Sequence, residues 1–241
     1  MSEPAGRWGT ATVVDVEHGG DEQVRLVRLR LEVPDRRRHL PGQHCVVRLR
    51  APDGYTAQRS YSIASDPGDR LVELMVEALP DGEVSGHLHD VAQPGDVVEY
   101  RGPIGRWFTW DGETPSLCVA GGTGVVPVVS MLRHARRLDV EDRLRVVVLA
   151  QTWDRLPYAE ELRAAGAFVA LTRENLPGAG PDGGERVAAP PYPDEVAHLA
   201  EGVERAYVCG SVGFASWATR LLGELGVRAS TVRVEQFGAT G

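Results

Sequence analysis

The run Ser116-Leu-Cys-Val-Ala-Gly-Gly-Thr-Gly-Val-Val-Pro127 passes from an apolar stretch through a glycine turn into a helix-like segment. Glycines let backbone N–H groups come close to a pyrophosphate, and the positive end of a following helix favours the anion. Gly122, Thr123 and Gly124 stand where such a group would be cradled. Their spacing departs from G-x-G-x-x-G, so a tight strand-to-helix turn with no ligand is the alternative. A second candidate is Arg59-Ser60-Tyr61-Ser62. There a guanidinium, an aromatic ring and hydroxyls can bind a phosphate, stack on a planar ring and hydrogen-bond to its edge. Alternating side chains of this kind are also what an ordinary strand shows. Cys209-Gly210-Ser211 ends an apolar run where an open parallel sheet places its ligand crevice, and a small buried hydrophobe is the alternative for Cys209.

The elements that must position these residues fall into two textures that meet near residues 111–114. Before that point, short strand-like segments at 10–16, 24–33, 44–49, 59–63, 71–78 and 97–100 are separated by turns such as Pro41-Gly42, Pro67-Gly68 and Pro94-Gly95. That rhythm predicts an antiparallel barrel or sandwich, with one short helix after Ser85. Beyond it, apolar runs at 117–120, 146–150, 168–171 and 206–209 alternate with helix-like segments at 128–138, 158–165, 194–200 and 214–225. Strand and helix in turn predict a parallel sheet covered on both faces. The Gly- and Pro-rich stretch 175–193 reads as a long mobile connection.

Composition narrows the chemistry. A formal net charge of -8 argues against a general nucleic-acid or membrane-surface binder. No run approaches the roughly 20 apolar residues of a membrane span, so we expect a soluble, cytoplasmic protein. All 26 cationic residues are arginine, which excludes Schiff-base lysines and the lysine of a Walker-type loop. Three scattered cysteines, Cys45, Cys118 and Cys209, fit neither a disulfide framework nor a four-cysteine metal or iron–sulfur site. His87 and His89 lack the further ligands of a metal site, so no metal is expected. Redox chemistry therefore needs a bound organic cofactor.

Taken in order, Pro41-Gly-Gln43, Arg59-Ser-Tyr-Ser-Ile-Ala-Ser65, Gly82-Glu-Val-Ser85, Gly102-Pro-Ile-Gly105, Gly121-Gly-Thr-Gly124, Tyr207-Val-Cys-Gly210 and Glu235-Gln-Phe-Gly238 resemble the ferredoxin–NADP reductase family of flavoproteins. The likeness is to its stand-alone and oxygenase-associated members. It implies a Greek-key β-barrel at 1–112 that binds FAD, followed by an α/β parallel-sheet domain at 113–241 that binds the nicotinamide nucleotide. By the same resemblance Arg59 would contact the flavin pyrophosphate, Ser60 would touch the cofactor, Tyr61 would lie on the ring, and Ser62 would hydrogen-bond near its N5. Val76 would also touch the cofactor, and Gly82, Glu83, Val84 and Ser85 would hold the pyrophosphate at the start of the short helix, which favours FAD over FMN. Cys209, Gly210 and Glu235 would line the hydride-transfer site, and Phe237 would either cover the flavin or pack on the domain seam.

In such proteins a hydroxyl and a forked cation at Thr172 and Arg173 suit a 2′-phosphate, which points to NADPH with NADH as the alternative. Glu174 counts against this choice, and Arg155 is a candidate second charge. The implied activity is an FAD-dependent NAD(P)H oxidoreductase that passes electrons singly to a separate acceptor, a ferredoxin or other oxygenase component. A free-flavin or quinone-type reductase and a non-catalytic flavin-binding subunit are the alternatives. Arg36-Arg37-Arg38 is either a solvated loop or part of a docking rim for an acidic carrier.

Overall fold

The computed structural model of the protein describes residues 7–180 and 183–237. Its first half is a six-stranded antiparallel sheet of β1 (Gly9–Gly20), β2 (Arg25–Glu32), β3 (His44–Arg50), β4 (Thr56–Ser62), β5 (Val72–Ala78) and β6 (Val97–Ile104), in the order β4-β3-β6-β1-β2-β5. Alternation in the sequence sets the inward face: Val27, Leu29 and Leu31 of β2 are buried with Cys45 and Val47 of β3 and Leu74 and Val76 of β5. The sheet curls so that its two edges approach. An isolated bridge pairs Ile63, just past β4, with Leu74 of β5, and the Ala64 N–H donates to the Glu73 carbonyl at 2.8 Å. The closure is thus short, and β4 keeps most of its outer edge free of a strand neighbour. Helix α1 (Glu83–Asp90) plugs one end with Val84 and Leu88.

The second half is a five-stranded parallel sheet of β7 (Ser116–Gly121), β8 (Leu144–Ala150), β9 (Phe168–Leu171), β10 (Arg205–Gly210) and β11 (Val232–Gln236), ordered β11-β10-β7-β8-β9. Four of these strands follow the apolar runs in the sequence. The fifth, β11, is a short edge strand that those runs do not reveal. Helices α2 (Val126–Leu138) and α3 (Ala159–Ala164) lie against one core, and α4 (Pro193–Ala200) and α5 (Val212–Glu224) against the other. Successive strand residues take opposite faces. Cys118, Ala120, Tyr207 and Cys209 pack with Val128 and Met131 of α2, whereas Leu117, Val119, Ala206 and Val208 pack with Ala218, Leu221 and Leu222 of α5. Burying each such Leu or Val side chain is worth about 1.5–3 kcal/mol.

The described residues of the connection at 175–193 are held more closely than its Gly and Pro content suggests. Leu176 bridges Arg186, whose buried guanidinium pairs with Glu195 through two 2.9 Å bonds and donates to the carbonyls of Ala189 and Pro190. A cation saturated by a carboxylate and carbonyls ties the second part of the connection to α4.

A polar seam locks the halves together. Arg133 of α2 donates to Glu73 of β5 at 2.8 Å, to both carboxylate oxygens of Glu161 at 2.8 Å, and to the Ala64 carbonyl at 3.1 Å. Arg30 and the Tyr158 hydroxyl also donate to Glu73, at 3.0 and 2.9 Å. Ser130 and His39 both reach the Ser65 carbonyl, and Asp66 takes Arg137 at 2.6 Å and His134 at 3.1 Å. The loop after β6 is fixed as well: Gln43 donates to the Gly105 carbonyl at 2.5 Å, and Gly42 sits where a Cβ would lie 2.1 Å from the Phe108 carbonyl.

Candidate active site

The end of β4 carries Tyr61 and Ser62, where the barrel edge meets the second sheet. The Tyr61 hydroxyl oxygen and Ser62 Oγ are buried with no hydrogen-bond partner, and so is Oε2 of Glu235 on β11. A buried polar atom left unpaired costs roughly 1–3 kcal/mol, so Ser62 Oγ and Glu235 Oε2 together mark a place shaped for a ligand, whereas Tyr61 stands opposite Cys45 and packs against the barrel core. Burial pushes the Glu235 carboxyl up to about 7 and holds the Tyr61 hydroxyl well above its ordinary range. The link between Ser62 and Glu235 is His44. It stands directly opposite Ser62 in the β3–β4 ladder, so both side chains leave the same face, and its Nδ1 lies 3.7 Å from Glu235 Oε1.

Along the same strand Arg59 and Ser60 are exposed, and the Arg59 guanidinium donates to the Gln58 carbonyl at 2.8 Å. Glu83, at the head of α1, accepts from the Tyr55 hydroxyl at 2.9 Å. Gly82 precedes α1 with no side-chain cap, and a Cβ there would sit 2.1 Å from Ser85 Oγ. The Ser85 hydroxyl itself is turned inward, accepting from the Leu79 N–H and donating to the Gly82 carbonyl. Any anion at this helix start must therefore rely on backbone N–H groups. The Val76 side chain is sealed in the barrel core, so only its backbone could meet a cofactor.

The second sheet reverses its winding between β7 and β10, and the C-terminal ends of those strands form the crevice that open α/β sheets use for ligands. A 3₁₀ turn, Gly122–Val125, leads into α2. Gly122 adopts a left-handed φ of +54° with open space around it, whereas a Cβ on Gly124 would lie 2.2 Å from the Cys209 carbonyl oxygen. The Phe214 ring sits against Gly121 and Gly210, where a Cβ would come within 2.6 Å of it. The Thr123 hydroxyl does not face this crevice as a free donor, because it bonds Glu77 of the barrel at 3.2 Å.

The Cys209 thiol is fully buried, and burial pushes it well above the ordinary thiol range, with the Glu235 carboxylate adding to the shift. It is therefore a thiol wall beside Glu235 rather than a nucleophile. Gly210 accepts from the Phe237 N–H at 3.0 Å, and Phe237 packs against the core that contains Cys209. Gly238 lies outside the described residues.

Thr172 and Arg173 follow β9. Arg173 is exposed, and Thr172 Oγ1 reaches the Ala150 carbonyl at 3.4 Å. Two neighbours expected to bear on a phosphate there are otherwise engaged. Arg155 is held by Asp21 and Gln23 of the β1–β2 turn at 2.5 Å each, and Glu174 accepts from the Trp153 N–H at 2.8 Å. Arg155 thus pins the barrel to the loop after β8 rather than supplying a second charge. Arg36 and Arg38 likewise grip the carbonyls of Asp69 and Pro67 and so brace that turn. His89 pairs with Asp90 and Arg25, and no cluster of three potential metal ligands occurs among the described residues. No helix there is long and apolar enough to cross a membrane.

Sequence reasoning missed His44, Glu77 and Asp21. His44 had a visible signal, a titratable residue directly after the Pro-Gly-Gln turn. Glu77 and Asp21 had none, because their partners are remote in the chain.

A barrel with orphaned polar atoms on its edge strand, facing a glycine-lined crevice in a parallel sheet, has the form of a two-domain flavoprotein oxidoreductase. Comparison with known proteins bears this out. Residues 12–109 match the family described as oxidoreductase FAD-binding domain. The chain is 28% identical over 238 residues to the ferredoxin–NAD(P)+ reductase component of the naphthalene 1,2-dioxygenase/salicylate 5-hydroxylase systems of a Ralstonia species, covering 97% of this chain and 69% of that one. A flavohemoprotein of Rhodopirellula baltica is 32% identical over 223 residues, covering 82% of this chain and 52% of its own length, so the chain spans only about half of that relative. In fold, the flavohem-like FAD/NAD-binding domain of a Vibrio cholerae nitric oxide dioxygenase superposes with a TM-score of 0.76 at 22% identity, covering 97% of this chain and 99% of that one. The chain carries an FAD-binding oxidoreductase domain and is homologous to the reductase components of oxygenase systems.

Proposed function

We propose that the protein takes a hydride from NADPH, or from NADH, and delivers electrons one at a time to a separate carrier, a ferredoxin or other component of an oxygenase. The observation that carries this reading is the junction itself, where buried Ser62 Oγ and Glu235 Oε2, both unpartnered, come from different domains and flank His44. The dioxygenase reductases among its relatives support it. Bound FAD would supply an acceptor for two electrons that can release them singly.

The chain's own contribution is binding and placement. Arg59 and Ser60 hold the flavin pyrophosphate from the exposed face of β4, and the backbone of Gly82, Glu83, Val84 and Ser85 supports it at the head of α1. The Tyr61 ring backs the flavin, and Ser62 Oγ offers its hydrogen bond to the reacting edge. Gly122, Thr123 and Gly124 take the dinucleotide phosphates through backbone N–H groups, with Thr172 and Arg173 at the 2′-phosphate. Cys209, Gly210 and Glu235 wall the crevice and keep water out. Phe237 stays on the seam beside them.

Anaerobic mixing with NADPH and with NADH, followed by release and chromatography of the flavin, tests the reading. Rapid bleaching of bound FAD is the expected result, and a flavin that neither nucleotide reduces would refute it. Arg59→Ala should weaken FAD binding about 30-fold, the worth of roughly 2 kcal/mol in charge-assisted bonds. Equilibrium dialysis reads this loss, and wild-type affinity would remove the pyrophosphate role. Arg173→Ala should raise KM for NADPH about tenfold and leave KM for NADH within about twofold, since only NADPH carries the 2′-phosphate. Equal changes in both would end that assignment.

A further inference from the structure

The head of α1 poses an electrostatic conflict. Its first turn leaves the N–H groups of Glu83, Val84 and Ser85 without helical partners, and no side chain caps them. Those N–H groups and the Arg59 guanidinium are the positive features that hold the flavin pyrophosphate in the proposed function. Yet Glu83 brings a carboxylate to the same turn. A carboxylate is drawn to a helix N-terminus as a phosphate is, and a nearby arginine is a second attraction. Left free, Glu83 would compete for the cradle and repel the cofactor.

A hydrogen bond from the barrel takes up that carboxylate. Tyr55, in the turn between β3 and β4, donates its hydroxyl to Glu83 Oε2 at 2.9 Å. The turn fixes Tyr55: its N–H donates to the Asp53 carboxylate at 3.0 Å, and its carbonyl accepts from the Ala51 N–H at 2.9 Å. Gly54 makes the bend with a left-handed φ of +91°, and Thr56 then pairs with Arg50 as the ladder begins. Tyr55 is thus mounted on a hairpin end, four residues before Arg59. The Glu83 carboxylate raises the Tyr55 hydroxyl above its ordinary value, and the Arg59 charge acts on it in the opposite sense, so the three groups share one neighbourhood. Within it Glu83 is engaged by Tyr55, while the exposed Arg59 guanidinium donates to the Gln58 carbonyl.

We propose that Tyr55 is a positioning residue for the cofactor: its hydroxyl holds the Glu83 carboxylate against the β3–β4 turn and leaves the α1 N–H groups and Arg59 to a pyrophosphate. The hydroxyl does this work, and the ring only carries it. The device acts on phosphate-bearing flavins alone, because the isoalloxazine ring is neutral and has no quarrel with a carboxylate at α1.

The inference rests on the proposed pyrophosphate role of Arg59 and α1, and a series of flavins separates the two. Riboflavin, FMN and FAD share the ring but carry no phosphate, a monophosphate and a pyrophosphate. Fluorescence titration of the flavin-depleted full chain reads the affinity for each. Tyr55→Phe keeps the ring and loses only the hydroxyl. It should weaken FAD about fivefold at low salt, the worth of one freed carboxylate roughly 5 Å from the phosphates in a watery setting, and leave riboflavin within about twofold. In about 0.5 M salt the FAD deficit should shrink below about twofold, as screening removes the repulsion. Glu83→Gln should bind FAD at least as tightly as the wild type, and adding Tyr55→Phe to it should change nothing further. Wild-type FAD affinity in Tyr55→Phe, an equal loss for riboflavin, or an undiminished deficit in the Glu83→Gln background overturns the proposal. If Arg59→Ala leaves FAD affinity unchanged, the pyrophosphate assignment itself fails and takes the role of Tyr55 with it. Reduction by NAD(P)H tests hydride transfer separately from all of these.

Discussion

Arg133→Met should cost the protein about 3–5 kcal/mol of stability at pH 7, the usual loss when one partner of a buried ion pair is removed. Arg133 neutralises two carboxylates, Glu73 and Glu161, and also caps the Ala64 carbonyl. Methionine fills a similar volume but leaves Glu73, with a side chain only 6% exposed, facing Arg30 and Tyr158 alone. The pH dependence gives the mechanism its signature. Burial by itself would raise the Glu73 carboxyl, yet Arg133, Arg30 and Tyr158 together outweigh it and hold the group below its ordinary 4.5. A depressed carboxylate contributes stability that is present above its unfolded pKa and disappears as pH falls through the folded value. The wild type should therefore lose stability on acidification below about pH 4.5, and the variant should lose less, having little of that contribution left. Urea unfolding at pH 7 and pH 4 reads both quantities. A deficit below about 1 kcal/mol at pH 7, or one of equal size at both pH values, would show that the seam does not depend on this pairing.

This seam also shows where sequence reading stops. Period-two burial in β2 and the continuous apolar runs of β7, β8 and β10 are local patterns, so the barrel and the parallel sheet could be read from short windows. The motif at Arg59-Ser60-Tyr61-Ser62 was legible for the same reason: four adjacent residues carry it. Glu73, Arg133, Glu161, Arg30 and Tyr158 are spread over most of the chain, and each taken alone resembles an ordinary surface or loop residue. Only the fold converges them. The same holds for Arg155 with Asp21 and for Thr123 with Glu77, where a residue that suits a phosphate is held instead by the other domain.

β11 was missed for a different reason. Its residues are all partly or fully exposed, so Val232-Arg-Val-Glu-Gln236 lacks the buried run that marks the inner parallel strands. That edge position is nonetheless what carries Glu235 to His44. The connection at 175–193 misled in the opposite direction, because turn composition reports backbone freedom, whereas Arg186 and its pairing to Glu195 decide how the segment is held.

Gly124→Ala should lower kcat/KM for flavin reduction by NAD(P)H about 100-fold while FAD remains bound. A methyl group at this position would meet the Cys209 carbonyl oxygen at 2.2 Å and the Gly210 Cα at 2.9 Å, and backbone atoms cannot yield as a flexible side chain can. The 3₁₀ turn must therefore shift from β10 by about 1 Å, and a displacement of that order near a reacting pair is typically worth about 100-fold in rate. Both edges of the crevice would move together, the N–H groups of residues 122–124 on one side and Cys209-Gly210 on the other. The barrel contacts on Arg59 and Tyr61 would not move, so flavin content should persist. Gly122→Ala provides the contrast. Its site is open, and its left-handed φ of +54° makes the substitution a conformational cost of only about 1–2 kcal/mol, without steric displacement of β10. Anaerobic stopped-flow reduction and flavin quantitation of both variants separate the cases. Reduction of Gly124→Ala at the wild-type rate would mean that the nucleotide is not held at the β7–β10 crevice, whatever the flavin does in the barrel.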